Sequence, residues 1–234
     1  MPQRIFVDRR IRASYLLLML AGCRGAPGAV VPAGAAPVDR AQVAQWVDAT
    51  RPAGQQLLRF KWLFQDERSS AGGRGSARVA PPDSLRFDVA GPFGADPAAA
   101  VVVGDEAVWA EPPDAVKKLV PNYPLLWGML GVARPPDSGD ALRGLVDGPV
   151  TIWQYAGPSD TVAYAWTRGS PARLVTEVRQ RGELLGRVET ELDSTGAPRR
   201  AQLVVPGVPA RLDLTFLSTA RASFAPEIWT PHRP

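Results

Sequence analysis

Few side chains in this sequence have the types and the spacing that enzymatic chemistry needs. Glu189 and Glu191 lie two residues apart in a segment of alternating polarity, so that both carboxylates share one strand face, as a general acid–base pair would require. The arginines beside them favour a solvated, ion-paired face instead. The single histidine, His232, lies close to the C-terminus. The stretch "GGRGSARV" at 72–79 has the glycines of a phosphate loop but no helix pattern after it, and we interpret it as a hairpin turn.

The sequence also has no metal-ligand spacing and no G-x-S-x-G nucleophile elbow. Cys23 is the only cysteine, so the chain can form neither an internal disulfide nor a cysteine-ligated metal site. We therefore expect a protein that is not an enzyme, with no catalytic residues, no metal and no cofactor.

The N-terminus has the order of a signal peptide. Arginines precede an apolar run from Ala13 to Leu20, and small residues follow it. The run is shorter than the ~20 residues that a transmembrane helix needs. Leu20-Ala21-Gly22-Cys23 resembles the lipobox of bacterial lipoproteins, which implies cleavage after residue 22 and acylation of Cys23. The alternative is an ordinary secretory peptide with an unrelated cysteine. Two or three acyl chains would hold the protein stably on a membrane.

The charge balance argues against a nucleic-acid partner. Removing residues 1–22 takes away four Arg and one Asp, which lowers the formal net charge from +4 to about +1. The sequence pI of 9.6 therefore belongs mostly to the signal peptide. Arg24 stands where lipoproteins retained at the inner membrane typically carry Asp. By resemblance to those sorting rules, we expect the protein to be lipid-anchored at the outer membrane and to face the periplasm.

The mature chain divides into a tether and a single domain. Residues 23–37 comprise the acylated cysteine and an Ala/Gly/Pro-rich tether, and residues 38–234 are enough for one domain with a substantial core. A short amphipathic helix is predicted within 38–50, because Val43, Trp46 and Val47 share one side and Asp39 can cap the N-terminus.

Most of the domain alternates apolar and polar residues with a period of two, which predicts antiparallel strands with one apolar face. The apolar face needs a second sheet, a closed barrel or a helical cover. Residues 112–148 interrupt the alternation with Pro-punctuated, helix-forming pieces, and we interpret them as a helical lid. The expected fold is mainly β: an open antiparallel barrel or curved sheet under short helices. The segments that alternate are centred on 58–64, 77–79, 85–89, 162–166, 173–179, 187–192 and 211–216.

These features together resemble the outer-membrane lipoprotein receptor LolB and its soluble relative LolA, whose fold is an unclosed antiparallel β-barrel capped by short helices. The likeness runs from Cys23 to about Gly131, and beyond that only the strand pattern is shared. It rests on the lipobox, the helix with Trp46, and the segments "LRFKWLF", "DSLRFDVAGPFGADPAAAVVV" and "VPNYPLLWGMLG". The resemblance implies a carrier that binds acylated lipoprotein, receives it from a LolA-like periplasmic carrier and passes it to the membrane.

The turn Gly91-Pro92-Phe93-Gly94 is the most telling part of the resemblance, because LolB-type proteins project an apolar residue there into solvent. A type I turn with Pro at its second position and Gly at its fourth would also point the third side chain outward. We therefore predict that Phe93 contacts the membrane or the donor protein. The alternative is that the loop folds back and Phe93 plugs the rim of the barrel.

An acyl-chain cavity is predicted between the apolar strand faces and the lid. Its predicted wall and lid residues are Phe60, Trp62, Phe64, Leu85, Phe87, Val89, Leu126, Trp127 and Leu130. A dry pocket would offer acyl chains ~0.8 kcal/mol per methylene. Two alternatives remain: a carrier of another lipid, such as a glycolipid or phospholipid, and a structural envelope lipoprotein whose aromatic residues fill its own core.

Overall fold

The described residues form one sheet of 13 antiparallel strands in the order β1-β7-β8-β9-β10-β11-β12-β13-β2-β3-β4-β5-β6. The computed structural model describes residues 30–31, 34–91, 94, 97–104, 106–113, 122–207 and 209–230. The strands are β1 Ala36–Pro37, β2 Gln56–Gln65, β3 Ser70–Ala80, β4 Ser84–Ala90, β5 Ala98–Val103, β6 Glu106–Glu111, β7 Ala141–Asp147, β8 Val150–Ala156, β9 Asp160–Thr167, β10 Ala172–Gln180, β11 Glu183–Leu192, β12 Pro198–Val205 and β13 Ala210–Arg221.

The sheet is curved and open. Its two edges are β6 and the two-residue β1, and within the described ranges no ladder joins one edge to the other. Hairpins connect most neighbours, while the return from β13 to β2 pairs strands from the two ends of the chain, with Leu214 opposite Trp62 and Phe216 opposite Phe60. The predicted open antiparallel sheet with short helices is confirmed.

The two ends of the sheet are distinguished by their turns. We call "upper" the end that carries the turns after β3, β7, β9 and β11, and "lower" the end that carries those after β2, β4, β8, β10 and β12. Strand β2 runs from the upper end to the lower end, so Leu58 lies in its upper half and Phe64 in its lower half.

Within the described residues, two helices cover the concave face. Helix α1, Arg40–Asp48, buries Val43 and Val47 against Trp153, Tyr155 and Tyr164 on β8 and β9. It begins where the carboxylate of Asp39 accepts a hydrogen bond from the Gln42 amide at 2.7 Å, which is the N-cap that the sequence predicts. Helix α2, Tyr123–Gly128, packs on β10 and β11 and belongs to the larger hydrophobic cluster, which spans β2–β5 and β10–β13.

The glycine-rich stretch at 72–79 is strand and not the predicted hairpin turn. Residues 72–76 lie inside β3 and pair in register with β2, and the turn falls earlier, where the Asp66 carboxylate accepts hydrogen bonds from the amides of Arg68 and Ser69. The glycines are needed because large residues of β2 lie across them. A Cβ on Gly73 would overlap the carbonyl oxygen of Ala90, and one on Gly75 would lie 2.6 Å from the Phe60 ring.

Two other boundaries differ from the sequence interpretation. The predicted helical lid at 112–148 is wrong in its last part, because 141–147 form β7, which pairs with β8. The predicted tether at 23–37 is wrong at its end, because Ala36 and Pro37 pair with β7 and the Ala35 carbonyl accepts from the Arg143 guanidinium at 2.6 Å. Both segments have few local signals: 141–147 forms a hairpin with β8, and Ala36 and Pro37 become a strand by pairing with β7, which lies about 100 residues further along the chain.

The C-terminal segment packs on the convex face. A 3-10 helix, Pro226–Trp229, follows β13, and the carbonyl of Ile228 accepts a hydrogen bond from the Arg86 guanidinium at 3.0 Å. The helices within the described ranges are too short or too polar to cross a bilayer.

Candidate functional site

All of the predicted wall and lid residues join one hydrophobic cluster on the concave face, but they fall into two groups. The upper group is buried by the chain itself, with side chains only 0–4% exposed. The lower group is half-buried and packs against the edge of the upper group. The upper group consists of Phe60, Leu85, Leu126, Trp127 and Leu130, and the lower group of Trp62, Phe64, Phe87 and Val89. The groups are defined by burial, since in the ladders Phe87 lies level with Leu58 and Val89 level with Phe60.

The upper group is filled by its own side chains. Trp127 is 1% exposed, and its indole N–H donates to the Gly104 carbonyl at 3.3 Å, which fixes α2 to the end of β5. Phe60 packs edge-on against Phe87 and Phe216, with ring centroids 5.8 Å apart in each pair. This half of the concave face is therefore a packed core, which can border a bound acyl chain but has no room to hold one.

The lower group supplies the accessible apolar surface. Trp62 and Phe64 lie on β2, and Phe87 and Val89 lie on β4, two strands away. The intervening strand presents Gly73 and Gly75, and the Trp62 indole and the Phe60 ring lie across these glycines. The Trp62 indole N–H donates to the Ala90 carbonyl at 3.1 Å, which satisfies its polar atom and holds the ring across β3. An apolar chain can lie on this half-buried surface without covering an unsatisfied indole N–H.

A buried hydrogen-bond network that sequence reasoning missed fixes the chain after α2. The Tyr155 hydroxyl donates to the Arg134 carbonyl at 2.9 Å, and the Arg134 amide donates to the Tyr164 hydroxyl at 3.1 Å. The Trp153 indole N–H donates to Tyr155 at 3.0 Å. Burial raises the pKa of Tyr155, so the phenol keeps its proton and remains a donor.

Arg134 itself is buried, and its guanidinium lies 4.9 Å from the centroid of the Trp127 ring. It also donates to the Pro82 carbonyl at 3.4 Å, so it joins α2 to the upper turn after β3. Its position inside the apolar run "MLGVAR" is a sequence signal, because a charged residue that interrupts such a run needs partners when it is buried.

The predicted carboxylate pair does not form a catalytic site. Glu189 is ion-paired with Arg173 at 2.9 Å on the convex face, and Glu191 lies opposite Arg200 in the ladder with β12. The most buried carboxylate is Glu177, 2% exposed, which accepts from Arg179 at 2.8 Å and Arg187 at 3.4 Å. The described part of the chain contains no group of His, Cys, Asp and Glu side chains that could hold a metal ion.

Several features singled out by the sequence lie outside the described ranges: the signal peptide, the acylation site Cys23, the sorting residue Arg24, the loop residue Phe93, the part of the predicted lid at 114–121, and His232. The described glycines that flank Phe93 are joined, since the Gly94 amide donates to the Gly91 carbonyl at 3.2 Å. Those glycines follow β4 at the lower end, the same end as the half-buried group.

Two solved structures share this architecture. A LolA superfamily protein from Nitrosomonas europaea is similar with a TM-score of 0.54 and 12% identity, over 83% of this chain and 98% of that chain. The chain has a LolA-like fold. A putative outer membrane lipoprotein-sorting protein domain from Vibrio parahaemolyticus is similar with a TM-score of 0.52 and 8% identity, over 81% of this chain and 95% of that one.

Sequence comparisons add no closer relationship: no protein-family model matches the chain, and no curated protein matches it. The similarity therefore concerns the LolA-like fold, and the LolB type predicted from the sequence stays a prediction.

Proposed function

We propose that this protein is a lipid-anchored envelope carrier that binds acyl chains on the lower half of its concave face and assists the transfer of lipoproteins to the outer membrane. One observation carries the proposal: Trp62, Phe64, Phe87 and Val89 are half-buried inside the curve of the sheet, where a filled core would bury them. Each methylene of a guest that leaves water there would gain ~0.8 kcal/mol.

Transfer on this proposal needs no chemical step. The cargo moves from a LolA-like donor to this protein, and then to the membrane, according to which apolar host binds it better. The lipid anchor at Cys23 keeps the protein at the outer membrane, facing the periplasm, and Phe93 contacts the donor or the membrane. The resemblance at the lipobox and at the Pro-Phe-Gly turn supports these assignments.

The test is photo-crosslinking of the full chain to a triacylated lipopeptide with a photoactivatable acyl chain. Val89→Asp should lower labelling by roughly tenfold or more, since a charge beside a methylene chain costs over ~1.4 kcal/mol. Val108→Asp is the control, because Val108 is 56% exposed on the edge strand β6, outside the cluster. Val89→Thr, which keeps the size, replaces Val89→Asp if thermal unfolding shows that the charged variant does not fold.

Equal labelling of Val89 variants and wild type would overturn the proposal. A phospholipid probe with the same acyl group distinguishes a second candidate, since stronger labelling by the phospholipid would indicate a carrier of another lipid. The absence of labelling by either probe would favour a structural envelope lipoprotein. That last candidate draws support from the upper group, where the chain fills its own interior.

A further inference from the structure

We propose that a groove at the upper end of the sheet binds the phosphate headgroups of anionic phospholipids and so docks the domain on a membrane surface. The groove has a volume of about 890 Å³ and lies between the α1–β2 connection, the β11–β12 turn and the end of β13. None of the half-buried residues of the candidate acyl-chain site lines this groove, so the two sites are separate.

The floor of the groove is apolar. Leu130, Val132 and Leu192 are buried beneath it, and Trp166 and Phe216 are half-buried at its sides. A ligand that enters the groove therefore meets an apolar surface after it passes the rim. This floor suits the glycerol and the first methylenes of a phospholipid better than it suits a fully hydrated ion.

The rim carries an excess of positive charge. Exposed Arg51, Arg199, Arg200 and Arg221 line it. Among the described residues, the guanidinium groups of Arg199, Arg200 and Arg221 have no hydrogen-bond or ion-pair partner, while Arg51 lies 3.0 Å from Asp48.

The acidic side chains of the groove cancel part of this charge. They are Glu191, which lies opposite Arg200 in the ladder, and Asp193, whose carboxylate interacts electrostatically with Arg199 and accepts from the Thr195 amide at 2.8 Å and the Thr195 hydroxyl at 2.6 Å. The lining still has four arginines against two carboxylates. Hydroxyl groups of Thr215, Ser218 and Thr219 add further donors along β13. Guanidinium forks together with hydroxyl groups match phosphate oxygens in geometry and charge.

The N-terminal chain enters the sheet at the same end as the groove. Strand β1 pairs Ala36 with Gly144 and Pro37 with Arg143, so it runs toward the lower end and the chain enters the sheet from the upper end. The anchor that the lipobox predicts at Cys23 precedes this entry point in the chain. An anionic membrane surface attracts arginines near it, and this attraction adds to the anchor.

The experiment uses the full acylated chain in phosphatidylcholine vesicles that contain photoactivatable phosphatidylglycerol or, separately, photoactivatable phosphatidylcholine. Peptides from 193–200 and 215–221 should be labelled by the anionic probe roughly tenfold more than by the zwitterionic one. Arg199→Glu with Arg200→Glu should remove that preference. Arg59→Glu with Arg74→Glu is the control, since both arginines are exposed, the charge change is the same, and neither lines the groove.

Equal labelling by the two probes, or labelling that survives Arg199→Glu with Arg200→Glu, would overturn the proposal. If that double variant does not fold, Arg221→Gln replaces it and should still reduce the preference. Free glycerol phosphate is added as a competitor: if it removes the labelling at phosphate concentrations equal to the lipid's, the groove binds small phosphate esters and membrane docking is wrong. The acyl-chain assay with the Val89 variants is independent of these outcomes.

Discussion

At the scale of single residues, the glycines of β3 show that the residue types a strand can carry depend on the residues opposite them in the neighbouring strand. Trp62 and Phe60 lie opposite Gly73 and Gly75 in the ladder, and their rings occupy the space that other side chains would take. The "GGRG" stretch has the composition of a turn, because glycine weakens a strand in isolation. Packing against β2 reverses that local preference.

We expect Gly73→Ala to destabilise the domain by about 1–3 kcal/mol, the range typical of overpacking, because its Cβ would overlap the backbone of β4. Gly54→Ala is the control: it lies in the connection before β2 with nothing within 4 Å of an added Cβ. Urea unfolding of both variants measures the effect. A Gly73→Ala midpoint equal to that of Gly54→Ala would contradict the close packing of Trp62 across β3.

At the scale of elements, the turn between β11 and β12 depends on one carboxylate. Hydrogen bonds from the Thr195 hydroxyl and from the Thr195 and Ala197 amides lower the pKa of Asp193 below its usual value. A lowered pKa means that Asp193 contributes stability above the pKa of the unfolded chain, near ~3.9, and loses it as the pH falls through the folded value.

Asp193→Asn should therefore flatten the acid limb of the stability curve below about pH 4, because asparagine keeps an acceptor oxygen but does not titrate. The free energy of unfolding by urea, measured at several pH values, tests this. Glu67→Gln serves as the control, since Glu67 is exposed and its carboxylate has no hydrogen bond within the described residues. An acid limb as steep in Asp193→Asn as in wild type would show that the turn does not need the charge.

At the scale of the whole molecule, the sheet has two hydrophobic clusters under two helices and an open lower half. The cluster under α1 is closed by Trp153, Tyr155 and Tyr164, whose rings pack with centroids 5.2–5.7 Å apart. The larger cluster is closed at α2 and becomes half-buried toward the lower end of β2 and β4. An acyl chain that binds to this protein should therefore protect one region of the sheet from solvent and leave the other regions unchanged.

Hydrogen exchange followed by mass spectrometry can locate that region. A diacylated lipopeptide should slow exchange in peptides that cover 62–65 and 87–90 at least severalfold, because covering a partly exposed ladder suppresses its local opening. Peptides that cover 153–155 should not change, since their side chains are already buried. Slower exchange at 153–155 alone would place the guest under α1 and would contradict the proposed site.

Several features could be predicted from the sequence because their causes are local. The alternation of Leu58, Phe60, Trp62 and Phe64 with charged residues predicts a strand with one apolar face, since successive side chains point to opposite sides. The N-cap at Asp39 and the apolar stripe of α1 follow from the helical repeat. The curved antiparallel sheet under short helices also follows, because so many one-sided strands need a shared cover.

Other features depended on the tertiary structure, because they require partners far apart in the chain. The pairing of β13 with β2 sets the width of the sheet, and 141–147, which the sequence suggested was helix, is a strand that pairs with β1 about 100 residues earlier in the chain. The alternation along β2 is the same for all of its apolar residues, so it does not predict which of them are buried. Helix α2 packs on β10 and β11, Phe60 is buried with the Phe87 and Phe216 rings against it, and Trp62 and Phe64 stay partly accessible. Periodicity along a strand is encoded locally, whereas the burial of each residue depends on what packs above it.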